Sequence, residues 1–195
     1  ANNNKVALIA ISGDIWHGPT QNSAGSLFPN FIEAIRRFGD VAPVAMIYGT
    51  PSHDVEGSLE VFETMECVHR IKILRPGIAY ILKEGKIEEL KGNNDEKAEL
   101  LLFGIPEPSK RWIIANDIQH GPRDCDISAR EAFKMLCIAS GCMRERYPQL
   151  PSIVLAHGQV QGAKTAHNMM LGTGDGIHFS KDDLKALKAE YIALG

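Results

Sequence analysis

The sequence has no basic tail, no apolar run long enough to cross a bilayer and no CxxC pair. The first absence removes the long-range electrostatic signature of a nucleic-acid binder. Lys and Arg number 21 against 24 Asp and Glu, for a net charge of -3. The second removes a transmembrane anchor, and no signal-peptide pattern is seen, so no membrane partner is expected. The third argues against a structural zinc site. Cys67, Cys125, Cys137 and Cys142 read as reduced thiols of a cytoplasmic protein. Internal repeats and low-complexity segments are also missing.

What is present is a chain of 195 residues, 44% hydrophobic, enough for one substantial core or two small ones. It starts at Ala1 without Met and stops at Tyr191-Ile192-Ala193-Leu194-Gly195, which reads as a strand reaching a loop. Both ends look cut, so residues 1–195 are expected to form a single domain truncated at both ends.

The stretch Lys5 to Gly18 organises the rest. An apolar run, Val6 to Ile11, ends abruptly in Ser12-Gly13-Asp14. Such a run, bounded by turn residues, reads as a fully buried strand. Open α/β sheets bind ligands at the carboxyl ends of their strands, which puts the Asp14 carboxylate at the mouth of a sheet. His17 follows within reach. By itself an Asp after a strand is more often a turn cap.

The same design recurs. Val44 to Tyr48 is a second buried strand, ending in Gly49-Thr50-Pro51-Ser52-His53-Asp54. Ile153 to Ala156 is a third, ending in His157-Gly158. Between them, Leu27 to Phe38 has helical spacing with Gly39 as its stop, and Ser58 to Met65 reads as a second helix. Strands are expected over Arg70–Leu74, Ile78–Lys83, Lys86–Leu90 and Ala98–Phe103, with Glu84-Gly85 as a hairpin turn. Glu107 to Ile127 reads as a long irregular loop, and Gly172 to Gly176 as a flexible turn. Ser128 with Glu131 is placed to cap a helix reaching about Arg146. Ser180 with Asp183 is placed to cap a last helix through Glu190. Two sets of strands flanked by helices point to an α/β fold with two sheets face to face.

Asp14, His53 and His157 each stand at the end of an apolar strand and could meet at one point. Carboxylate and imidazole together suit Mn²⁺, Fe²⁺ or Zn²⁺. A carboxylate bridging two metals is the usual basis of a two-metal hydrolase, and a His off the metal could protonate a leaving oxygen. Each residue also has a plain structural explanation, since a His after a strand is commonly a satisfied polar residue. Asp54 would orient His53 or cap a helix. His69, His167 and His178 fit no such unit and read as surface or loop residues; His120 is unassigned.

Gly13-Asp14-Ile15-Trp16-His17, Gly49 to Asp54 and Leu155-Ala156-His157-Gly158, in that order, resemble the GD-x-x-H, GNHD and single-His motifs of calcineurin-like metallophosphoesterases. Within that family they look most like the SbcD-type nucleases of double-strand-break repair. The resemblance implies a four-layer α/β/β/α sandwich of two mixed sheets, holding two divalent metals, commonly Mn²⁺. It makes Asp14 the bridging ligand, His157 a ligand of the second metal, and Ser52 the stand-in for the family's Asn ligand. His53 becomes the catalytic His, oriented by Asp54, and His17 supports the leaving group or phosphate. The implied activity is metal-dependent exo- or endonuclease cleavage of DNA, with an SbcC-type ATPase as partner and a homodimer allowed. No D-x-H pair occurs in this chain, and it ends where a G-H-x-H motif would begin. The polypeptide is therefore expected to hold part of a metal site. Two rivals stand beside the nuclease: a small-molecule or protein phosphatase, and a catalytically inactive scaffold of the same fold.

Overall fold

The computed structural model describes residues 5–16, 27–92, 96–107, 125–164 and 178–195. Among these, the chain is a mixed α/β structure with three open sheets. The first sheet is parallel, in the order β1 (Ile9–Ser12), β2 (Val44–Ile47), β3 (Ile71–Ile73). The second has five strands in the order β10 (Tyr191–Leu194), β7 (Ser152–Ala156), β6 (Leu100–Ile105), β4 (Ala79–Lys83), β5 (Lys86–Glu89). Its β10, β7 and β6 are parallel to one another, and β4 and β5 run antiparallel as a hairpin. The hairpin turns on Glu84 and Gly85, both at positive φ, as its alternating flanks predict. A small parallel pair, β8 (Gln159–Val160) and β9 (His178–Phe179), completes the sheets. The helices are α1 (Leu27–Val41), α2 (Glu60–Glu63), α3 (Cys125–Arg146) and α4 (Lys181–Ala186).

Side-chain alternation along the strands divides the interior into three clusters. On β2, Ala45 and Ile47 join Leu74, Tyr80, Leu102 and Leu155 in a cluster built from both large sheets. Val44 and Met46 face the other way, packing with Ile35 of α1 and with Phe62 of α2. On the far side, Leu101, Phe103, Val154 and Ala156 meet Phe133 and Cys137 of α3 and Leu187 after α4. Each large sheet thus has one face toward the other sheet and one toward helices.

Several local expectations are corrected. β1 is half-buried rather than fully buried, with Ala10 exposed, because among the described residues it pairs on one side only, with β2. Helix α1 runs through Gly39 to Val41. Gly39 is needed there for close packing, since a Cβ would stand 2.5 Å from Cys67 Sγ. The second helix shrinks to the single turn Glu60–Glu63. Helix α3 starts at Cys125, three residues before the expected Ser128 cap. His178 lies on a strand rather than in a loop. The capping box of Ser180 and Asp183 forms as expected, but α4 stops at Ala186, and Lys188 follows at a φ of 51°. His17, His120, His167, most of the loop after Glu107 and the Gly172–Gly176 turn lie outside the described residues.

Among the described residues, no helix is long and apolar enough to cross a membrane.

Candidate functional site

Parallel pairing puts the carboxyl ends of β1 and β2 at one edge of the first sheet. Across from them, β7 ends in His157, whose N–H extends the ladder to the carbonyl of Ile105. Ser12 closes the gap between the sheets: its hydroxyl donates to the Ala193 carbonyl of β10 at 3.1 Å. Three loops therefore open at the same place.

Two glycines let their backbones touch. Gly13 sits at a φ of 86°, and a Cβ there would lie 2.5 Å from Gly49 Cα and 2.7 Å from His157 Nδ1. A Cβ on Gly49 would lie 2.1 Å from the Asp14 nitrogen and 2.3 Å from its Oδ1. Asp14 itself has a φ of 51°, a left-handed conformation that Asp tolerates better than most residues. Beyond it, Trp16 anchors the loop in the α1 side of the core, with its ring centroid 5.3 Å from that of Phe31 and 5.8 Å from that of Phe62.

Asp54, only 2% exposed, ties two of the loops together. Its Oδ2 accepts the Gly49 N–H at 2.7 Å and its Oδ1 accepts the Trp16 N–H at 3.0 Å. Both carboxylate oxygens thus serve backbone donors. The Nδ1 of His53 lies 3.0 Å from Asp14 Oδ2.

Asp14 is the hub. Its Oδ1 accepts the Thr50 N–H at 2.7 Å and stands 3.3 Å from His157 Nε2. Partial burial pushes its carboxyl up, but the Thr50 N–H, His53, His157 and the Thr50 hydroxyl together hold it below the usual carboxylate range. Its side chain keeps 33% of its surface exposed, so a ligand can reach it.

His157 Nδ1 lies 2.8 Å from the Ser12 carbonyl, which can only accept, so Nδ1 carries the proton. In the neutral ring the lone pair is then on Nε2 and faces Asp14 Oδ1. Two electron pairs at 3.3 Å repel unless a proton or a cation stands by them. An imidazole held through its other nitrogen by a backbone carbonyl is the usual form of a metal-ligating His.

The remaining site residues fall as follows. Asp14, His53 and His157 come together, as their positions after three strands predict. Ser52 is exposed in the turn. Thr50, which the sequence pattern did not single out, is drawn inward instead. Among the described residues, no group of three or more His, Cys, Asp or Glu is arranged to hold a metal ion. The carboxylate and two imidazoles meet here as hydrogen-bonded neighbours. Carboxylate and imidazole are donor types that divalent cations take, but two ions need more donors than the described residues supply.

Beside the site, Tyr48 donates its hydroxyl to Glu60, which is paired with Arg75 at 2.6 Å. Burial, with the Glu60 carboxylate adding to it, pushes the Tyr48 phenol up to about 12. This group braces the ends of β2 and β3.

No protein-family model matches the sequence, and no curated protein matches it.

Proposed function

We propose that this chain carries the site of a divalent-metal-dependent phosphodiesterase acting on DNA, of the calcineurin-like, SbcD-type kind that its motifs resemble. The observation that carries the reading is the approach of Asp14 Oδ1 and His157 Nε2, 3.3 Å apart at the mouth of two sheets, with His157 held through Nδ1 by the Ser12 carbonyl. The three core clusters support the four-layer α/β/β/α sandwich that goes with it, because they alternate helix, sheet, sheet and helix.

Asp14 and His157 would hold the cation, Mn²⁺ by preference and Fe²⁺ or Zn²⁺ by donor type. Bound divalent metal, two ions in the family's arrangement, supplies charge for the phosphoryl oxygens and an activated water. It also supplies the positive charge that the net acidic chain lacks for a polyanionic substrate. His53 is the more exposed imidazole, its side chain at 37% against 9% for His157. It is therefore the group that can reach the leaving oxygen and protonate it. Asp54 fixes the loop that carries His53. An SbcC-type ATPase would be its partner, and a homodimer is allowed.

The lack, among the described residues, of a metal-holding group of three favours one rival, an inactive scaffold of the same fold. The deciding experiment is Mn²⁺-dependent cleavage of linear duplex DNA by the full-length protein, beside its His53→Ala variant. Cleavage that falls at least about a hundredfold in the variant supports the nuclease. A folded protein that leaves DNA intact, but hydrolyses a phosphopeptide or small phosphodiester, moves the reading to a phosphatase. No hydrolysis of any of these supports the scaffold.

A further inference from the structure

We infer that Thr50, rather than Ser52, supplies the hydroxyl ligand of the site, holding a divalent cation together with Asp14 and His157. The inference rests on the metal-dependent reading above and names one of its donors.

The loop's own geometry separates the two hydroxyls. The carbonyl of Thr50 accepts the N–H groups of both His53, at 2.8 Å, and Asp54, at 2.9 Å. Residues 50–54 therefore wind into a single tight turn based on Thr50. The turn leaves Ser52 exposed on its outer side. The inner side is fixed by Asp54, whose carboxylate clamps Gly49 just before Thr50.

Thr50 thus faces the site with its N–H and its hydroxyl, while its carbonyl holds the turn. Its N–H donates to Asp14 Oδ1 at 2.7 Å. Its Oγ1 lies 3.3 Å from His157 Nε2 and 3.5 Å from Asp14 Oδ2. The hydroxyl has one proton to give, and both neighbours are acceptors when His157 is neutral with Nδ1 bonded to Ser12. Whichever it serves, Oγ1, Nε2 and the Asp14 carboxylate stay gathered around one spot. Three converging donors, one anionic and two neutral, are what a divalent cation replaces its hydration shell with. A Thr hydroxyl is an established type of ligand for such ions.

The test uses the full chain and Mn²⁺ itself, titrated by calorimetry and by electron paramagnetic resonance. Thr50→Val keeps the backbone N–H and the shape but removes the hydroxyl. It should weaken Mn²⁺ binding by at least about tenfold, while Thr50→Ser and Ser52→Ala stay near the parent. Thr50→Cys provides a readout that a purely structural role would not move. It should shift preference from Mn²⁺ toward Cd²⁺ by about tenfold or more and add thiolate-to-cadmium absorption above the parent's own cysteines, and Ser52→Cys should do neither. Binding in Thr50→Val equal to the parent, or no cadmium shift in Thr50→Cys, overturns the inference and leaves the metal-dependent reading standing. A parent that binds no Mn²⁺ overturns both.

Discussion

At the residue scale, small side chains set how closely the loops approach. The 2.1 Å between a Cβ on Gly49 and the Asp14 nitrogen leaves no room for even a methyl group. Gly49→Ala should therefore push the Asp14 loop away, destabilise the fold by about 1–3 kcal/mol and weaken any Mn²⁺ response, both read from melting curves with and without the metal. Asp54 acts differently, through its charge. Asp54→Ala leaves the N–H groups of Gly49 and Trp16 unpaired in a buried place and should cost about 2–3 kcal/mol in denaturant unfolding, whether or not metal is present. Asp14, His53 and His157 were legible because each follows an apolar strand, and strand ends gather. Thr50 was not, because a Thr two residues ahead of the motif's Ser carries no signal. Only the way Gly49–Asp54 curls back on the Thr50 carbonyl decides which hydroxyl faces inward.

At the element scale, the longer strands were read closely, whereas the two-residue strands β8 and β9 and the helix ends were not. Strands announce themselves by runs of apolar residues. Helix ends depend on what packs beside them: Gly39 looks like a stop but is a packing gap filled by Cys67. The end of α4 has a cause of the same kind. Glu190 leaves the helix to serve β7, accepting the Ser152 N–H and hydroxyl at 2.7 Å each while bound by the Arg144 guanidinium of α3. The Arg144 guanidinium, opposed by partial burial and helped by Ser152, holds the Glu190 carboxyl down at about 2, from its ordinary 4.5. A carboxylate with a depressed folded value stabilises the protein fully above its unfolded value and loses that contribution as pH falls through the folded one. Glu190→Gln should thus lower stability at neutral pH by about 1 kcal/mol, a modest figure because the pair is screened by solvent. The gap between parent and variant should close as thermal melts are repeated from pH 5 down toward pH 2.

At the scale of the whole molecule, the cluster shared by both sheets is the joint on which the site depends. Leu102 and Leu155 are fully buried there, on neighbouring strands β6 and β7. Leu155→Ala should cost about 2–5 kcal/mol in denaturant unfolding. It should also loosen the site more than an equal loss in the α3 cluster, because the Asp14 and His157 sides belong to different sheets. That two sheets would face each other was legible from two groups of strands separated by helices. That β1 would meet β10 was not, since nothing in either strand's composition names its neighbour across the fold.

That meeting has a consequence in time. The Ser12 hydroxyl bond to Ala193 spans 181 positions of sequence, and the bond from His157 to the Ser12 carbonyl spans 145. The hairpin of β4 and β5 can close early and locally, and β1 can pair with β2 across a short span, whereas the join of Ser12 to β10 and His157 forms only after nearly the whole chain has been searched. Contacts so distant are slow to form because their entropy must be given up before they return any energy. In a refolding experiment, recovery of secondary structure by circular dichroism should run ahead of recovery of the Mn²⁺ response. The mouth between the sheets is then the last part of the molecule to exist during folding and the first to be lost when it begins to unfold.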